Sequence, residues 1–160
     1  MKIILASVHV SGHSSGKQVR SRSKSAPTDA LVEEYGARIA RFADWEVLRF
    51  ATEAALLEWA ARQQGRSPLH LTLLDSRGKQ ETSEQFAARL GALRDRGTQQ
   101  IVLAIGPADG WSDAGRAKAS QMLSLGPMTL PHELARAVVA EQIYRALTIL
   151  AGHPYHSGHE

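Results

Sequence analysis

A chain of 160 residues with 43% hydrophobic and 22% charged side chains is long enough to bury a real core, and is read as one domain spanning residues 1–160. Its formal charge of +3 permits a nucleic-acid partner without demanding one, and the absence of cysteine excludes disulfide frameworks and thiolate metal sites while suiting a reducing cytoplasm. The opening MKIILASVHV is followed by no small-residue cleavage site, and no apolar stretch approaches membrane-spanning length, so a soluble, cytoplasmic protein without a membrane partner is expected.

Lys2 to Val10 is a continuous apolar run rich in isoleucine and valine, the pattern of a strand buried on both faces of a parallel sheet. Residues 11–27, SGHSSGKQVRSRSKSAP, change character: Lys17, Arg20, Arg22 and Lys24 occur among six serines with no acidic residue. This reads as a flexible basic loop, either a solvated insertion or an arm that orders on phosphates. Thr28 or Asp29 can cap a helix running to about Phe42, with Leu31, Tyr35, Ile39 and Phe42 at helical spacing. Trp45 to Ala51 reads as a strand, and Thr52 opens a second helix that Gly65 ends. Leu69 to Leu74 is the third apolar run, closing at Asp75 and followed by a turn over Ser76 to Lys79. Thr82 and Gln85 have the spacing of a capping box for a helix carrying Phe86, Leu90 and Leu93. Gln100 to Ile105 is a fourth strand, Ser112 begins a short helix to about Met122, and Leu123 to Leu125 is the fifth strand.

The last helix is the longest. Pro131 suits a first helical turn and Glu133 complements the dipole there, and from Leu134 to Ala151 apolar residues occur on every side. A helix apolar all round is buried on more than one side, and a second copy of the chain is one way to cover it, so a homodimer is expected. Strands alternating with helices predict an α/β domain with a parallel sheet covered by helices on both faces. In such sheets ligands bind beyond the carboxyl ends of the strands. Three ends stand out, at Leu74–Asp75, Ile105–Gly106 and Leu125 to Leu130; backbone groups of tight loops there can hold a nucleoside under apolar side chains. Met128 and Leu130 equally suit plain core packing. Neither a G-x-G-x-x-G fingerprint before a helix nor a Walker lysine motif is present, which counts against NAD and ATP.

Three stretches carry a resemblance. TLPHELARAVVAEQIYRAL followed by HPYH near the end, LLDSRGKQETSEQFA from Leu73 to Ala87, and AIGPADGWS from Ala104 to Ser112, joined by EYGARIARF near Glu34, together resemble the ribosomal large subunit methyltransferase H family of SPOUT methyltransferases. The resemblance implies a C-terminal trefoil knot, a homodimer, S-adenosylmethionine as cofactor, and methylation of a pseudouridine at N3 in large-subunit ribosomal RNA within the ribosome. It implies cofactor contacts from Leu74, Gly106, Leu125, Gly126, Pro127, Met128, Thr129 and Leu130. Two departures stand beside it. The family's connection at residues 11–27 is usually shorter, and it commonly has two glycines where this chain has Gly106-Pro107. Proline removes a donor, so either that contact needs only a carbonyl or binding is weaker. The stretch IGPADGWS is also similar to the small-subunit ribosomal RNA uridine N3-methyltransferases. A non-catalytic RNA- or nucleotide-binding α/β protein and a flavodoxin-like small-molecule binder are the readings from other classes.

An imide-like N3 is protonated at neutral pH, so a base or anion-stabilising donors are required beside it. The candidates are Arg136 for an RNA phosphate or carbonyl, His153 or His156 for the proton, and Tyr155 for stacking on a base. Glu141 and Arg145 are spaced for an i,i+4 ion pair. His153, His156 and His159 are three apart, but no carboxylate or cysteine completes a ligand set, so no metal is expected there. His9 and His70 read as partly buried structural histidines, and His132 as either a helix-start or a substrate-facing residue.

Overall fold

The apolar runs become strands because both of their faces are covered. In β1 (Lys2–Val8), Ile3 and Leu5 pack into one layer of helices while Ile4, Ala6 and Val8 pack into the other. The computed structural model describes residues 1–9 and 27–157. The basic segment therefore lies outside the described residues except for Pro27, which opens α1 (Pro27–Ile39). There follow β2 (Asp44–Phe50), α2 (Glu53–Gln64), β3 (Leu69–Gln80), α3 (Ser83–Asp95), β4 (Gln100–Ile105), the short α4 (Asp113–Lys118), β5 (Gln121–Ser124), α5 (His132–Ala151) and a 3₁₀ turn at Pro154–Ser157.

The local signals account for most helix starts. The Thr52 hydroxyl accepts from the Ala55 N–H at 3.1 Å, and Thr82 and Gln85 form the reciprocal capping box. Ser112 caps α4 through its hydroxyl alone, which accepts from the Gly115 N–H at 3.0 Å. Other boundaries moved. β1 stops at Val8, leaving His9 beyond the strand. Gly65 ends α2 in a right-handed conformation, not the left-handed one that favours glycine. α4 ends at Lys118 and gives way to β5 at Gln121, so the last strand starts earlier than the apolar residues alone indicate.

The five strands are all parallel, in the order β2-β1-β4-β3-β5. α1, α3 and α5 share the face bearing Ile3, Leu5, Ile101 and Leu103, and α2 covers Ile4, Ala6, Val102 and Ala104 on the other. Crossovers toward the β2 edge run through α1 or α3, whereas those toward β5 run through α2 or the α4 segment. A consistent handedness of connection requires this division. α5 leaves the β5 edge and returns to the first face, where it lies against α1, α3 and the middle strands. Its apolar flanks are thus largely covered inside one chain, with Ile143 and Ala146 fully buried.

β3 continues past the turn expected at Ser76 to Lys79. Leu74 pairs with Leu123, the strand bulges, and Lys79 and Gln80 pair again with Leu123 and Ser124. The close approach is possible because residue 78 is glycine; a Cβ there would sit 2.6 Å from the Leu123 nitrogen. Arg89 bonds Glu81 at 3.0 Å and the Gln121 amide donates to the same carboxylate at 2.9 Å, pinning the extension to α3 and β5. Among the described residues no helix is long and apolar enough to cross a membrane.

Candidate functional site

The bulged middle of β3 and the loops after β4 and β5 meet in one cavity of about 710 Å³. Its walls include Leu74, Gly106, Leu125, Gly126, Met128, Thr129 and Leu130, so the three segments singled out in the sequence are brought together. Pro127 is exposed and is not among the lining residues, while its neighbour in the other loop, Pro107, is. The cavity has the size of a nucleotide-like ligand, and its lining mixes apolar residues with polar and charged ones.

Each loop is held in shape by a side chain beneath it. The Trp111 ring is buried under Gly106, so close that a Cβ on residue 106 would lie 2.7 Å from it, and its indole N–H donates to the Leu74 carbonyl at 2.9 Å. Pro107 begins a turn whose carbonyl accepts from the Gly110 N–H at 2.8 Å. The Ser124 hydroxyl bridges both the N–H and the C=O of Gly126, each at 3.1 Å, and fixes that residue at φ +125°, a conformation that only glycine adopts freely. Asp75, with its side chain 4% exposed, accepts from Arg116 at 2.7 Å and from the Arg77 N–H at 2.8 Å. Burial pushes its carboxyl up, but those donors hold it below the ordinary carboxylate range. Trp111 and Arg116 were not marked as site residues from the sequence, and Asp75 was singled out only as the end of a strand. The signal available was a tryptophan inside a turn of glycine, aspartate and serine, and an arginine on a short helix has no local signature.

Beside the cavity, at the start of α5, His132 contributes to the wall and Arg136 turns inward. Arg136 is 2% exposed, donating to Asp29 at 2.8 Å and Glu133 at 3.0 Å. In one chain it therefore faces two carboxylates and not an open surface, a placement that periodicity on an apolar helix cannot reveal. Arg49 joins this network through Asp29 at 2.7 Å. Burial lowers the His132 pKa, opposed by a hydrogen bond to the Gly106 backbone.

The other candidates lie at the opposite end of α5. Tyr155 rests on Tyr144 with ring centroids 4.6 Å apart, beneath the Arg145 guanidinium at 5.1 Å, and its hydroxyl donates to Glu141 at 3.2 Å. Burial and the neighbouring Tyr35 and Glu141 push the phenol well above its usual range. Glu141 and Arg145 make the expected ion pair at 2.6 Å. His153 and His156 are exposed. The His153 Nδ1 accepts from the Tyr155 N–H at 3.2 Å, so its Nε2 carries the proton in the neutral ring. The His156 Nδ1 donates to the His153 carbonyl at 2.7 Å, which leaves Nε2 with its lone pair toward solvent. A helix of 20 residues is about 30 Å long, so one chain does not bring the tail to the cavity.

A family model described as "Predicted SPOUT methyltransferase" matches residues 18–156. The ribosomal RNA large subunit methyltransferase H of Koribacter versatilis (strain Ellin345) is 49% identical over 138 residues, covering 86% of this chain and 94% of the relative. That of Brucella anthropi is 41% identical over 149 residues, covering 84% and 93%. Among solved structures, the SpoU methyltransferase AviRb from Streptomyces viridochromogenes superposes with a TM-score of 0.51 at 16% identity over 95% of this chain and 61% of its own. A probable methylase family protein from Haemophilus influenzae Rd KW20 gives 0.52 at 10% identity over 96% and 69%. These two likenesses concern the fold.

Proposed function

The chain belongs to the SPOUT methyltransferase family, and we propose that it methylates N3 of a pseudouridine in large-subunit ribosomal RNA within the ribosome, using S-adenosylmethionine. The observation that carries this reading is the convergence of the β3 bulge and the loops after β4 and β5 on a single cavity. When bound, the cofactor supplies an electrophilic methyl group on a sulfonium. The protein's part is to hold it and to place a nucleophile. Gly106 and the backbone of Leu125, Met128, Thr129 and Leu130 are the groups that would hold it, and Leu125, Met128 and Leu130 supply apolar cover, while Leu74 and Gly126 shape the wall with backbone groups already bonded to Trp111 and Ser124. Pro107 offers only a carbonyl, which its turn already uses. The return of α5 from the sheet edge to the middle strands, past the β3 extension, supports a knotted passage of the β5–α5 segment through the β3–α3 connection.

The proton at N3 needs an acceptor, and of the two tail histidines His156 presents a free Nε2 lone pair whereas His153 presents N–H. His156 is therefore assigned as the acceptor and His153 as a donor to a base carbonyl. Tyr155, kept as a phenol, is the rigid pivot of the tail. Because tail and cavity of one chain stand about a helix length apart, the working site combines the cavity of one copy with the tail of another. The exposed apolar residues Leu31, Phe42 and Leu134 on α1, its C-terminal flank and α5 give a second copy a surface to cover.

The test is transfer of labelled methyl to ribosomes that lack the modification. Gly126→Ala and His156→Gln are each expected to be inactive alone, and mixing the two after dissociation and reassociation restores transfer, because a hybrid dimer holds one intact cavity facing one intact tail. No rescue in mixtures shown to contain hybrids would refute the composite site, and label absent from the large subunit with the unaltered chain would refute the substrate.

A further inference from the structure

We propose that His9, His132 and Glu133 form a binding site for a divalent transition-metal ion at the junction of β1 and α5. Residue 9 and residues 132–133 are far apart in sequence, yet one ligand atom from each lies within 4.8 Å of the others, the one such group among the described residues. His9 has the arrangement that metal-ligating histidines show, with Nε2 tied to the protein and Nδ1 facing Glu133. His132 bonds the backbone of Gly106, and its Nε2 is buried without a hydrogen-bond partner among the described residues. A buried acceptor left in that state costs free energy unless a donor or a metal meets it. In His9, Nε2 lies 2.9 Å from the Ser7 hydroxyl, and Nδ1 lies 3.7 Å from the Glu133 carboxylate. The two rings meet edge-on with centroids 4.7 Å apart and do not stack.

Two nitrogens and one carboxylate select a borderline ion such as Zn²⁺ or Co²⁺, whereas Mg²⁺ and Ca²⁺ require an oxygen shell. A cation already stands at the edge of the cluster. The Arg49 guanidinium is 3.0 Å from the His9 Nε2 and 3.8 Å from Glu133, so it opposes a metal ion by charge and by donating where a ligated His9 would carry a proton. Its side chain is 45% exposed, which leaves it free to turn outward, and the Ser7 hydroxyl can then accept from Nε2 instead of donating. Arg49 thus competes with the metal for the same carboxylate. A bound ion would tie the end of β1 to the first turn of α5, and through His132 to the Gly106 loop.

The experiment is titration of the full chain with Co²⁺, followed by its visible absorption and by isothermal calorimetry, so the readout is metal binding and not methyl transfer. One equivalent should bind with the band pattern of nitrogen and oxygen ligands, be displaced by Zn²⁺, and be unaffected by Mg²⁺. His9→Gln and Glu133→Gln should each abolish it, while a His153→Gln/His156→Gln double variant should retain it. Arg49→Gln should tighten binding by roughly tenfold, a gain that misfolding cannot produce. Absence of the band, its survival in His9→Gln, its loss with the tail variant, or weaker binding by Arg49→Gln would overturn the proposal.

Discussion

Gly78→Ala places one methyl group between two strands. The added Cβ would lie 2.6 Å from both the Leu123 nitrogen and the Met122 carbonyl carbon. These are backbone atoms of β5, so no side chain can swing aside, and reaching ordinary contact at 3.4 Å requires roughly 0.8 Å of displacement. Overpacking of this kind costs about 1–3 kcal/mol, and at about 2–4 °C per kcal/mol for a chain of this size the melting temperature should fall by roughly 2–12 °C. The displaced segment runs directly into Ser124, which shapes Gly126, so S-adenosylmethionine affinity should fall together with stability. Thermal melts by circular dichroism and calorimetric titration of the cofactor read the two effects. A variant with unaltered melting temperature would refute the argument that β3 and β5 are locked at this point. A variant that melts early yet binds cofactor normally would refute the link from the bulge to the loop.

Trp111→Phe keeps most of the apolar body but removes the donor to the Leu74 carbonyl. Leaving that acceptor unpaired should cost about 1–3 kcal/mol, measured by urea denaturation, and should lower cofactor affinity several-fold in the same titration. Wild-type kinetics of binding and an unchanged urea midpoint would show that the indole N–H holds nothing in place. His70 gives a pH signature: burial, with help from Arg89 and Arg96, lowers its pKa from 6.5 to about 4. The unfolded chain then binds the extra proton between those values, so the stability contribution is complete above about pH 6.5 and is lost as pH falls toward about 4, by at most about 3 kcal/mol. The urea midpoint of the natural chain should drop more steeply across that window than that of His70→Gln; parallel curves would count against a buried neutral imidazole.

Much of the scaffold was legible in the residues because its signals are local. The apolar run bounded by Gly106 marked a strand end, and Thr52, Thr82 and Ser112 marked helix starts through caps that span three residues, whereas Asp75 proved to lie within β3. The three cavity segments were legible for the same reason, since ligands gather at strand ends in a parallel sheet and the quoted stretches resemble one family. Tertiary structure alone decided where side chains of one sign or type were sent. Arg136 looked available for RNA on a helical pattern, but its partner Asp29 comes from the other end of the chain, and the pair is visible only once α1 packs on α5. Ser76 to Lys79 read as a turn because nothing local announces that β5 lies alongside to pair with Lys79 and Gln80. His9 and Trp111 gained their neighbours in the same way, by strand order instead of spacing. Caps, periodicity and apolar runs act within a few residues and so are written in the sequence. Charge pairing, bulges and buried donors depend on contacts across the whole sheet, which no short window of residues contains.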